Sequence, residues 1–133
     1  MRLFLDTNVL VSAFAARGLS ADLFELVRVK HEFVTGRTVL EEFERALRLK
    51  IRFPPAHCEE IVAYVSSEAA LVVDSAPAAD CDADDDDRQV LGEALAGQSE
   101  IFVTGDAAVA ALKVLGPMRI LTPRQLWEAL RTP

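Results

Sequence analysis

Five short apolar runs punctuate the chain, and stretches of helical periodicity fill the gaps between them. The runs are Leu3-Phe4-Leu5, Phe33-Val34-Thr35, Leu71-Val72-Val73, Ile101-Phe102-Val103-Thr104 and Arg119-Ile120-Leu121. Runs of this length bounded by polar residues suit strands buried on both faces. Between them, Val9 to Ala16 reads as a helix capped by Asn8 and stopped at Gly18. Ser20 opens a second helix, running to about Lys30 with Leu23, Phe24 and Val27 on one face. Thr38-Val39-Leu40-Glu41 matches a capping box and starts a helix to about Lys50. Pro54 and Pro55 open the next, to about Ala70. Asp84 to Asp87 lead a helix through Ala96, ended by Gly97; another is expected from the Gly105-Asp106 turn to about Leu115. Thr122-Pro123-Arg124-Gln125 starts the last, which carries Leu126, Trp127 and Leu130. Strands alternating with helices predict an α/β fold, a parallel sheet with helices on both faces.

Composition narrows this picture. At 133 residues and 51% hydrophobic, the chain has the size and the core of a single domain spanning 1–133. It contains no run of 18 apolar residues, so no membrane-spanning helix is expected. Asp6 and Asn8 cut the opening apolar run too short for a signal peptide, and a cytoplasmic location is the expectation. Cys58 and Cys81 fit no zinc or disulfide spacing. His31 and His57 have no second ligand nearby, so histidine chemistry is unsupported.

The net charge of −7 argues against nucleic-acid binding until its distribution is considered. Six aspartates crowd positions 80–87, and removing them leaves −1. From Arg28 to Arg52, seven basic residues oppose four acidic ones, a local balance of +3. An acidic centre beside a basic stretch is compatible with a cation next to a polyanion, and equally with a solvated basic helix.

Four carboxylates then stand apart. Asp6 and Asp106 each follow an apolar strand, where open α/β sheets bind their ligands. Asp6 can equally serve only to turn the chain. Asp87 ends the acidic run in the first turn of a helix and is the member placed to point inward. Glu41 and Glu44 each have an arginine four residues on, Arg45 and Arg48, and read as surface residues. Glu42 has Ala46 there, and sits at the edge of the apolar stripe without a partner. Two carboxylates about 5 Å apart at an effective dielectric of about 20 repel by roughly 3 kcal/mol. Several in one cleft therefore call for a cation, and all-oxygen ligands favour Mg²⁺ or Mn²⁺ over zinc. Such ions suit phosphodiester hydrolysis by metal-activated water.

These residues resemble a known family. Leu-Asp-Thr-Asn-Val-Leu-Val-Ser-Ala at 5–13, Val-Leu-Glu-Glu-Phe-Glu-Arg-Ala-Leu at 39–47, Asp-Asp-Asp-Arg at 85–88 and Val-Thr-Gly-Asp at 103–106 are similar to PIN-domain proteins. The nearest likeness is to the VapC-like PIN toxins of bacterial toxin–antitoxin systems. The resemblance implies a three-layer α/β/α sandwich around a mostly parallel sheet. It implies a ribonuclease using one or two Mg²⁺ or Mn²⁺ ions, with its acidic positions at Asp6, Glu42, Asp87 and Asp106. Asp6, Asp87 and Asp106 would hold metal and Glu42 would position the attacking water. Thr104 matches a small hydroxyl residue near the site, and Thr7 and Asn8 flank the first Asp. A cognate antitoxin and a homodimer are also implied. Arg37, Arg45 and Lys50 are the candidates for RNA phosphates.

Two departures matter. A further acid expected two residues after Asp106 is Ala108, which weakens the case for a second ion and leaves the first intact. Ala83-Asp84 stands where Asp-Pro is common. Two other readings compete. Haloacid-dehalogenase-like phosphatases need a second Asp at the position of Asn8, and lack support. A weakly active or inactive PIN-like module that binds RNA or protein draws on Ala108.

Overall fold

The structure is a computed structural model that describes residues 1–131. Its centre is β1 (Arg2–Leu5), in which Leu3, Phe4 and Leu5 are fully buried. β2 (Glu32–Gly36) and β3 (Leu71–Val73) lie to one side of it. β4 (Ile101–Val103), β6 (Met118–Leu121) and β5 (Val114–Leu115) lie to the other, giving the order β3-β2-β1-β4-β6-β5. All pairings are parallel except β5 with β6. A mostly parallel sheet flanked by helices is the architecture the sequence predicts.

Register fixes where the strands end. Phe4 pairs with Val34 on one side and Phe102 on the other, and the Phe4 and Phe102 rings stack 5.5 Å apart. Leu5 pairs with Val103, and the Asp6 amide donates to the Val103 carbonyl at 2.9 Å. Asp6 and Thr104 therefore leave the sheet side by side. After β1 the chain builds β2 and β3 to one side, then crosses to β4 on the other. The gap between the ends of β1 and β4 is thus a topological switch point, the usual place for a site in such sheets.

The helices are α1 (Thr7–Ala15), α2 (Leu19–Lys30), α3 (Arg37–Ala46), α4 (Pro55–Glu68), α5 (Asp85–Ala96), α6 (Ala107–Ala110) and α7 (Pro123–Arg131). Phe14 of α1, Phe24 of α2, Phe43 of α3 and Tyr64 of α4 meet in one aromatic cluster that ties these helices together.

Several expected boundaries move, each for a local reason. Asp6, not Asn8, caps α1, accepting from the Thr7 amide. The second helix starts one residue before Ser20, with Gly18 at its cap in a backbone region (φ 147°) suited to glycine. The third starts at Arg37, because Gly36 ends β2 and enters the helix with no intervening loop. Its far end widens into a π turn over Leu47–Ile51, closed by Arg52 at φ 64°. The helix expected to reach Leu115 ends at Ala110 instead. Residues 114–121 fold into a hairpin that gives strand β6 a hydrogen-bonding neighbour on its outer edge.

Candidate functional site

Asp6 is 8% exposed, yet it is a carboxylate. It is tolerated because three donors converge on it. The Thr7 amide donates to Oδ1 at 2.8 Å, and the Thr104 hydroxyl and the Asn8 side-chain amide donate to Oδ2 at 2.8 and 3.3 Å. Burial raises its pKa most, the Thr104 and Thr7 hydrogen bonds oppose that, and the Asp106 charge adds to the rise. The balance is a carboxyl held above its ordinary value.

The same two polar residues place Asp106. The Thr104 hydroxyl accepts from the Asp106 amide at 3.0 Å, and Asn8 Oδ1 accepts from the Gly105 amide at 2.8 Å. The Asp106 carboxylate accepts from the Ala108 and Val109 amides at 2.8 and 3.2 Å and so caps α6. Asn8 and Thr104 thus staple the end of β4 to the end of β1.

Asp87 arrives from a different direction. Asp84 caps α5 by accepting from the Asp87 amide at 2.9 Å, which sets Asp87 in the first turn, half-buried. Its pKa is pushed up to about 6, chiefly by burial, then by the charges of Asp84, Asp6 and Asp106. Asp84, Asp85 and Asp86 are exposed, so Asp87 is the member of the run that turns inward.

Glu42 projects from α3. Its pKa is raised by burial first, and then by Asp6, Asp86 and Asp87. Its Oε1 is buried with no hydrogen-bond partner, and so is Thr7 Oγ1. Asp6, Glu42, Asp87 and Asp106 all line one cleft of about 410 Å³, together with Thr7 and Lys50. A smaller recess of about 220 Å³ shares Thr7, Glu42, Ala46 and Lys50 with it and adds Arg45 and Leu49.

The basic candidates separate. Arg37 is tied to Glu41 at 3.0 Å and Asp74 at 3.7 Å, and lines neither cavity. This replaces the expected pairing of Glu41 with Arg45. Arg48 pairs with Glu44 at 2.5 Å, as its spacing predicts. Arg45 and Lys50 stand beside the cleft.

One further buried carboxylate supports the site from behind. Glu93 of α5 is 1% exposed and accepts from the Thr38 amide at 3.0 Å, from the Thr38 hydroxyl, and from Gln89 at 3.2 Å. It caps the start of α3 from another helix, and Thr38 is therefore a donor to Glu93 rather than the cap of its own helix. A signal was present: Glu93 lies among Val90, Leu91 and Ala94 with no basic residue three or four positions away. Glu42 stands out by a related pattern, an alanine four residues on where Glu41 and Glu44 have arginines.

Comparison with known proteins bears on the family and the fold. The PIN domain family matches residues 2–108. Among solved structures, VapBC2 from Rickettsia felis bound to a DNA fragment from their promoter superposes with a TM-score of 0.65. The superposition covers 92% of this chain and 98% of that one at 13% identity, which is a likeness of fold. No curated protein matches the chain by sequence.

Proposed function

The chain belongs to the PIN domain family, and from that premise we propose that it is a metal-dependent RNA endonuclease acting as the toxin of a toxin–antitoxin pair. The observation that carries the reading is the buried, partnerless Oε1 of Glu42 in a cleft with three further carboxylates. An unpaired buried carboxylate oxygen is costly. A divalent cation with its water shell supplies both the missing partner and the missing positive charge. The donor set is all oxygen, which fits Mg²⁺ or Mn²⁺. Among the described residues, no three acidic, histidine or cysteine side chains converge as a ready-made cage. Such an ion would be held partly through water, as Mg²⁺ usually is.

Asp6, Asp87 and Asp106 are the groups that would hold it. When bound, the ion lowers the pKa of its water and neutralises charge developing on the phosphate. The rest falls to the chain. Thr104 and Asn8 lock the Asp6 carboxylate in one orientation. Glu42, with its raised pKa and free Oε1, is the group to orient the attacking water and accept its proton. Val11 and Val90 form part of the cleft wall. Ala108 leaves a first ion better provided for than a second. The resemblance to VapC-like PIN toxins gives the present chain a cognate antitoxin in this reading, with a homodimer as its own assembly.

The test is cleavage of single-stranded and structured RNA with Mg²⁺, Mn²⁺ or chelator, by wild type and Asp6→Asn. Asparagine still caps α1, so the variant keeps its fold. We expect cleavage that chelator abolishes. The variant should lose more than the roughly 10–100-fold typical of an outer-shell metal partner. Ala108 favours a second reading, a module that binds RNA without cutting it. RNA binding with no cleavage under any metal would support that reading instead.

A further inference from the structure

α2 carries an outer face that no other described residue covers. Asp22, Glu25, Leu26, Val29 and Lys30 line a shallow hollow of about 440 Å³ there, and Trp127 of α7 forms its remaining wall. The hollow shares no residue with the carboxylate cleft. Val29 is 62% exposed, the most of any large hydrophobic side chain among the described residues. Valine is a mediocre helix former, so propensity does not account for it on an outer helix face. Leu26 and Trp127 sit half-buried in the same hollow. Exposed apolar side chains gathered in one place and rimmed by charge mark an interaction surface.

The charges around this apolar centre say what covers it. Glu25 is neutralised by Arg28. Asp22 and Lys30 are exposed, and among the described residues neither side chain has a hydrogen bond or an ion pair. One lies four residues before Leu26 and the other four residues after it. On a helix that places both on the side of Leu26, about 6 Å from it in opposite directions. A two-fold axis through Leu26, perpendicular to α2, lays a second α2 antiparallel on the first. Asp22 then meets the partner's Lys30, Lys30 meets the partner's Asp22, and the two Leu26 side chains meet each other. An isologous interface needs this self-complementarity. A partner of another kind has no need of opposite charges set symmetrically about the apolar centre.

We propose that the α2–α7 face is the contact between two copies of this chain. Antiparallel α2 helices close it, with Leu26, Val29 and Trp127 at the centre and two Asp22–Lys30 pairs at the rim. This gives the homodimer a specific face, and it involves neither the metal nor the RNA of the nuclease reading.

Sedimentation equilibrium of the purified full chain tests it. Wild type should be mostly dimer at about 100 µM, as a Kd of about 10 µM or tighter requires. Val29→Glu puts charge at the centre of the contact and should give a monomer. Its circular dichroism should match wild type, because Val29 is mostly exposed in the single chain. Asp22→Lys and Lys30→Asp should each weaken the dimer at least about tenfold, since each turns both rim pairs into like charges. An equimolar mixture of these two variants should dimerise again, because every rim pair across the heterodimer is then opposite in sign. The double variant Asp22→Lys/Lys30→Asp should regain the dimer by itself for the same reason. Wild type that is mostly monomer at about 100 µM would overturn the proposal and leave the face to a different protein partner. A dimer that Val29→Glu leaves intact would overturn it by placing the contact elsewhere. Single variants that stay weakened when mixed would overturn it as well, because only residues that face each other rescue one another.

Discussion

Asp6 shows how a single residue balances burial against hydrogen bonding. Burial pushes its carboxyl up, and the Thr104 hydroxyl is the largest influence holding it down. Thr104→Val removes that hydroxyl at nearly constant shape. Asp6 should then protonate more readily, so the acid limb of the pH–rate profile should move to higher pH. Because the Asp106 amide also loses its acceptor, stability should fall by about 1–3 kcal/mol. A pH–rate profile identical to wild type would show that Thr104 does not tune Asp6. Much of this site was legible at the residue scale. Asp6 and Asp106 follow apolar strands, and Glu42 lacks an i+4 partner on an otherwise paired helix. Arg37 was not legible, because its second partner, Asp74, comes from a distant stretch of chain.

At the scale of elements, α3 matters most, since it carries Glu42 and part of the cleft wall and is anchored by a contact from α5. Gly36 lies so near Glu93 that an added Cβ would stand 2.3 Å from its Oε1. Glu93 in turn accepts the Thr38 amide, one of the orphan donors at the start of α3. Gly36→Ala should therefore displace Glu93 and loosen α3, and Glu93→Ala should leave the same donor unsatisfied. We expect each to cost about 1–3 kcal/mol in denaturant unfolding. Each should also lower kcat by shifting Glu42 relative to Asp87, which α5 carries. Loss of stability with full kcat would confine Glu93 to a purely structural role. The sequence pattern anticipated α3 and α5 but took Thr38 for a local cap and carried the third helix to Lys50 without the π turn. A capping box and a donor to a distant carboxylate read alike along the chain, and only packing distinguishes them. The same holds after α6, where the Ala- and Leu-rich 107–115 suits a helix and the open edge of β6 draws residues 114–115 into a strand instead.

Over the whole molecule, folding gathers carboxylates that would lie apart in the unfolded chain, and the result is a stability that depends on pH. Asp87 titrates at about 6 in the fold against about 4 when unfolded. Asp6 and Glu42 are raised in the same direction. A raised carboxyl means that the folded state binds more protons than the unfolded state through this interval. Its contribution to stability is whole below about pH 4 and is lost as pH rises through about 6. With chelator present, the wild-type melting temperature should therefore decline from pH 4.5 to 7 more steeply than that of Asp87→Asn, which cannot titrate there. Mn²⁺ should reverse the decline. A cation bound only by the folded state adds about 2.7 kcal/mol at a hundred times its Kd. It binds the deprotonated cleft, so its benefit should fade again below about pH 6. Parallel melting curves for the two proteins in chelator would mean that Asp87 does not feel its neighbours. Parallel curves with Mn²⁺ would mean that the cleft holds no cation. The acids were visible one by one in the sequence, but their mutual repulsion arises only when the ends of β1 and β4 and the starts of α3 and α5 meet.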